Sequence, residues 1–147
     1  MRGSNFHCPL TIATLLALGI GLAGVSAWAA DLPVIVNKEN AGIIDQKLVA
    51  DIYTGQTKLW RSGEPVLAYD LPEDAPVRAA FSTGMLGRSI SNMKALAAQN
   101  LFSGKAVPPK QLVSDDEVKR AVNAHKNAIG YIKASNADES VKVVLTR

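Results

Sequence analysis

Arg78 is the side chain with the clearest chemical signature in this sequence. It falls in the first turn of a helix predicted to begin near Pro76. A cation there opposes the helix dipole by about 0.3–1 kcal/mol. The position therefore calls for an anion beside it, either a bound ligand or an ion pair with Asp70, Glu73 or Asp74. Asp70 ends a predicted strand, at the edge where α/β sheets place their ligands. It would there accept a hydrogen bond from a protonated ligand or simply close a turn. Asn37 also ends a strand and carries the same two readings. Ser103 and Gly104 lie in a Gly/Pro loop whose backbone N–H groups could serve as donors.

Catalytic options are few. The chain holds one cysteine, Cys8, and two histidines, His7 and His125. No serine sits in a nucleophile-elbow sequence. Paired carboxylates occur only at helix starts, as in Asp115-Asp116-Glu117. No enzyme activity, no metal site and no cofactor is expected.

The first 29 residues read as a cleavable secretory signal. Arg2 supplies the positive charge, and no acid precedes Asp31. An apolar stretch, Leu10 to Val25, follows, and Ala27-Trp28-Ala29 places small residues where signal peptidase requires them. The stretch is shorter than the ~20 residues that span a bilayer, so no stable membrane insertion is expected after cleavage. Cys8 precedes the apolar run, so it is not a lipoprotein cysteine. Cleavage after Ala29 removes Cys8 and His7. The expected product, residues 30–147, is one periplasmic or secreted domain of about 118 residues with one modest core. Its 15 Lys and Arg face 13 acids. That balance, with no basic stripe interleaved with aromatics, excludes a nucleic-acid partner.

The elements that would position these residues alternate. Pro33 to Asn37 is an apolar, β-branched run and reads as a buried strand. Asp45 caps a helix with Leu48, Val49, Ile52 and Tyr53 at helical spacing, and Gly55 stops it. Trp60 lies in the next loop and is expected to plug onto the core. Pro65 to Asp70 is the second strand. A helix then runs through Arg78, Phe81 and Met85 to Gly87, with Pro76 in its first turn. Ser89 caps a further helix whose apolar face is Met93, Leu96, Ala97 and Leu101. Ser114 and Glu117 form a capping box for a helix that buries Val118, Ala121 and Val122. His125 ends that helix as an exposed partner of its dipole. Ala128 to Ile132 and Val141 to Leu145 are two more strands, and Gly130 is expected to admit a neighbouring strand closely. The pattern specifies an α/β sandwich, with a mixed sheet of about four strands flanked by about four helices.

Four ordered segments carry a likeness to a known family. Asp51-Ile52-Tyr53-Thr54-Gly55 resembles a helix ending in I-F-x-G. Trp60 with Ser62-Gly63 resembles a W-x-x-G turn. Asp74 to Phe81 resembles D-x-S-x-x-R-x-x-F. Ala128 to Ile132 resembles a G-A-I-G-Y-V strand. Together they cover nearly all of Val34 to Leu145. The chain resembles the substrate-binding proteins of phosphate ABC transporters, within the type 2 periplasmic-binding-protein group, and looks most like a short, single-lobe member.

That resemblance implies a solute-binding role, with phosphate or a related oxyanion held at a helix N-terminus. It implies the helix start at Val77 and Arg78 as ligand-binding positions, and with Asp70, Asn37, Ser103 and Gly104, read above from the residues, these are the expected ligand-binding residues. Ala75-Pro76-Val77 stands where the family commonly has Ser, Gly and Thr. The family's second lobe is not expected in a chain this short. Both departures support an alternative: a ligand-free interaction or sensory module of the same fold. An apolar face left by the missing lobe would then be covered by a homo-oligomer or a periplasmic protein partner.

Overall fold

A computed structural model describes residues 31–147. Five strands form one sheet: β1 (Val34–Val36), β2 (Leu67–Asp70), β3 (Lys110–Gln111), β4 (Ala128–Tyr131) and β5 (Lys142–Leu145). Their spatial order is β3-β2-β4-β1-β5. β2 runs parallel to β3 and β4, whereas β1 runs antiparallel to β4 and β5. The four expected strands are present. β3 is an addition, too short and too polar to show as an apolar run.

Four α-helices connect them: α1 (Gln46–Tyr53), α2 (Pro76–Ala80), α3 (Ile90–Phe102) and α4 (Asp115–Ala124). Their caps follow the sequence. The Asp45 carboxylate accepts from the Leu48 N–H at 2.7 Å, and the Ser89 hydroxyl from the Asn92 N–H at 3.2 Å. Ser114 accepts from the Glu117 N–H at 3.3 Å, and Glu117 reaches back to the Val113 N–H at 3.1 Å. Gly55, at φ 75°, turns the chain out of α1. An added Cβ there would lie 2.7 Å from the Ala106 Cβ, so only glycine satisfies both turn and packing. α2 continues directly into a π-helical turn, Phe81–Met85.

Side chains alternate across a strand, so the two faces of the sheet bury different partners. Gly130 faces α4, against Val118 and Val122. The close approach at Gly130 is thus made by a helix, not by a strand. Tyr131 faces the other way, against Tyr53 of α1 and Phe81 of the π-turn. Val34, Ile35, Val36, Val49, Val118, Val122 and Ile129 are completely buried and form the core. Trp60 belongs to that core, and its indole N–H donates to the Asn127 carbonyl at 2.9 Å.

α3 departs from expectation. Asn100 is its one buried residue, and Leu101, assigned to its apolar face, is 57% exposed. The inward stripe is Met93, Leu96, Ala97 and Asn100, with only a half-buried apolar part. The Asn100 side chain holds α3 to the end of α1 by donating to the Thr54 carbonyl at 2.9 Å. No helix among the described residues is long and apolar enough to cross a membrane. The expected signal, residues 1–29, lies outside the described residues.

Candidate functional site

β2 delivers Asp70 to the C-terminal edge of its parallel pair with β4. The chain turns through Leu71 and Pro72, and α2 starts at once. Ala75 occupies the N-cap, with extended backbone and no side-chain cap bond, and Pro76 follows. Asp74 does not cap this helix. The Ala75 N–H donates to the Pro72 carbonyl, and the Arg78 N–H to that of Ala75, both at 3.0 Å. Pro76 has no N–H. Val77 thus carries the helix-start N–H without a backbone acceptor among the described residues.

Arg78 turns back over the sheet edge. Its guanidinium lies 3.0 Å from the Asp70 Oδ2 and donates to the Leu71 carbonyl at 3.1 Å. The two side chains are only 11% and 12% exposed. Of the three acids open to Arg78, the fold selects Asp70. Glu73 pairs instead with Lys94 at 2.8 Å. The Asp70 Oδ1 accepts from the Leu71 N–H at 2.8 Å and from the Tyr131 hydroxyl.

Burial, with a smaller contribution from the Glu73 charge, raises the Asp70 carboxyl pKa above its ordinary 3.8 against the lowering influence of Tyr131, Arg78 and the Leu71 N–H. Burial, then the Asp70 charge, pushes the Tyr131 phenol well above its usual range. Tyr53 is raised for the same first reason, and its hydroxyl donates to the Tyr69 carbonyl at 2.7 Å.

An aromatic wedge supports the pair from below. Phe81 stacks on Tyr131 at 3.8 Å between centroids, 4° from parallel, and Tyr53 meets Phe81 edge-on at 4.8 Å. A small void of about 30 Å³ adjoins Asp70, Arg78, Phe81 and Ser82. It has room for a single water and no larger ligand. Tyr131→Phe keeps the stacked ring and removes one donor from a buried carboxylate. We expect a loss of about 1.5–3 kcal/mol, measured as a lowered urea midpoint with unchanged slope.

The six candidates divide into two groups. Asp70 and Arg78 meet at this edge, and Val77, its side chain buried, precedes Arg78 in the same helix. Asn37 lies at the opposite end of the sheet. β1 is antiparallel to β4, with Val36 opposite Ile129 and Val34 opposite Tyr131, so Asn37 follows the end remote from Tyr131. Its amide donates to the carbonyls of Val122 and Asn123 at 3.0 and 2.8 Å, closing the end of α4. Its Oδ1 accepts from the Glu39 N–H at 2.9 Å, which is the turn reading. Ser103 and Gly104 follow α3 and precede β3, which pairs with β2 only at Tyr69 and Asp70. They therefore lie toward the other end of β2 as well. The Ser103 hydroxyl donates to the Asn100 carbonyl at 3.3 Å, and Gly104 is left-handed at φ 67°.

Tyr131, Leu71 and Phe81 belong to this cluster and were not among the candidates. The signal for Tyr131 was its place at the end of β4, parallel to β2, where a hydroxyl reaches the carboxylate of Asp70.

The mixed α/β fold is similar to part of the fold of solved substrate-binding proteins, as the four motif segments suggested. It superposes with a TM-score of 0.63 on a Clostridium perfringens protein described as a phosphate ABC transporter substrate-binding protein and solved with bound phosphate, at 24% identity. An ABC-type phosphate transport receptor from Vibrio cholerae gives 0.61 at 20%, and PstS from Borrelia burgdorferi 0.59 at 14%. Each match covers 78% of this chain and 44–46% of the other. The chain thus spans less than half the length of the structures it matches. No family model and no curated protein matches the sequence.

Proposed function

We propose that this chain is a solute-binding-like lobe that takes phosphate or a related oxyanion at the edge formed by Asp70, Val77 and Arg78. One observation carries the reading. In a fold shared with a protein solved holding phosphate, a guanidinium from the first turn of a helix lies against a carboxylate at a strand end. The Val77 N–H and Arg78 would donate to the anion. Asp70, whose carboxyl protonates more readily than usual, would accept from a protonated ligand oxygen. The void is too small for such a ligand, so binding requires Arg78 to swing outward from Asp70. Export, as the first 29 residues lead one to expect, would place the lobe where dissolved anions are captured.

The saturation of the site supports the second reading. Asp70, Arg78 and Tyr131 already satisfy one another, and a lobe that has closed its site this way could serve as an interaction module. Its partner would be a second copy or another periplasmic protein.

Thermal melting of residues 30–147 with phosphate or sulfate separates the two. An anion at a hundred times its Kd stabilises the fold by about 2.7 kcal/mol. Arg78→Lys keeps a charge for Asp70 but loses the planar fork, so the anion-dependent shift should shrink. An unchanged Tm at millimolar phosphate and sulfate would leave the interaction reading alone.

A further inference from the structure

We propose a second binding site, for small amphipathic anions, in a groove beside the N-terminal half of β2. The groove measures about 400 Å³, within the range of small-molecule sites. Ile52, Leu67 and Ala68 line one side, and Val107, Pro108 and Pro109 the other. The charged side chains of its lining are Lys58 and Lys110, with no acid between them. Among the described residues, neither lysine enters a salt bridge. An apolar lining that includes two lysines outside any salt bridge complements a molecule with an apolar body and an anionic head.

The groove leaves apolar surface in water. Val107 is 84% exposed and Leu67 39%. A ligand that covers them gains from removing that surface from solvent. The walls are nonetheless fixed from behind. Asn100 ties α3 to the Thr54 carbonyl, and Gly55 lets Ala106 close against the end of α1.

Backbone pairing argues for a compact ligand over an extended peptide. The Val66 N–H already donates to the Lys58 carbonyl at 2.9 Å, and Leu59 bridges Pro65. Pro108 and Pro109 offer no N–H. A peptide laid in the groove would find few backbone partners, whereas a carboxylate on an aliphatic chain needs none. The groove meets the void beside Asp70 and Arg78 at Pro109 but includes neither of those residues, and it does not depend on the oxyanion reading.

Decanoate, below its micelle concentration, is the probe. Calorimetric titration of residues 30–147 should give saturable one-to-one binding. Amide shifts should centre on Leu67, Ala68, Val107 and Lys110. Lys58→Glu with Lys110→Glu should retain the parent Tm and weaken decanoate by about tenfold per lysine reversed. Decanol, with the same chain and no charge, should bind more weakly. Inorganic phosphate should not displace decanoate. Equal affinity in the double variant, equal affinity for decanol, displacement by phosphate, or uptake that never saturates would each overturn the proposal.

Discussion

Asp70→Ala will destabilise the fold by about 3–5 kcal/mol. The variant leaves the Arg78 guanidinium buried beside the Leu71 carbonyl with its counter-charge gone. It also takes an acceptor from the Tyr131 hydroxyl and the Leu71 N–H. Breaking a buried pair on one side is far costlier than replacing both partners, because the surviving charge keeps its desolvation penalty. Asp70→Leu combined with Arg78→Met should therefore lose less than either single change. Chemical denaturation of the two singles and the double measures the coupling.

The pH dependence has a definite sign. The folded-state pKa of Asp70 is raised, so the native state takes up that proton at a higher pH than the unfolded chain. The stability this group adds is complete below the unfolded value of 3.8 and falls as pH rises through the folded value. The deficit of Asp70→Ala relative to the parent should accordingly narrow as the solution is brought out of acid. A deficit that widened over that interval would show that pairing with Arg78 outweighs desolvation at Asp70, whereas a double variant as unstable as the worse single would contradict the paired geometry.

Gly130→Ala should lose about 1–3 kcal/mol, and Gly130→Val more. A Cβ at Gly130 would lie 2.5 Å from the Val118 Cγ1 and 3.4 Å from the Val122 Cγ2. Both valines are completely buried, and β4 is the central strand of the sheet, so neither side yields easily. The cost is steric rather than conformational, since Gly130 is not among the glycines at positive φ. Shortening Val118 should recover part of it. Gly130→Ala with Val118→Ala is expected to be more stable than the sum of the two separate losses allows. Strict additivity in the urea midpoints would show that α4 does not bear on the strand here.

These two sites also show how much the sequence could reveal. The four longer strands were legible as apolar runs bounded by turn residues, β-branched in β1 and β5. The helix starts were legible because Asp45, Ser89 and Ser114 are chemically specific to caps. β3 was hidden, since Lys110–Gln111 pairs through backbone alone and has both side chains exposed. The Leu101 assignment failed because helical periodicity marks an apolar face without saying how wide the supporting surface is.

The candidate site was legible only where it was local. Asp70, Val77 and Arg78 are close in sequence, and strand-end and helix-start logic brought them together. Asn37 qualified by the same strand-end rule, but the rule is silent about direction. β1 runs antiparallel to β4, which sends its end to the other side of the sheet. Tyr131 was out of reach for the complementary reason: its partner is 61 residues away, and only the parallel pairing of β2 with β4 joins them.

The placement of β1 has a kinetic consequence. Among the described residues it is the first strand in chain order, and both of its edges are filled by β4 and β5, the fourth and fifth. The completely buried Val34, Ile35 and Val36 therefore have no sheet partners until β4 and β5 have been made. Contacts so distant along the chain make folding slow, because the intervening loop must close before pairing rewards it. Refolding of this lobe should accordingly be limited by bringing β1 to β4 and β5, and not by forming its helices.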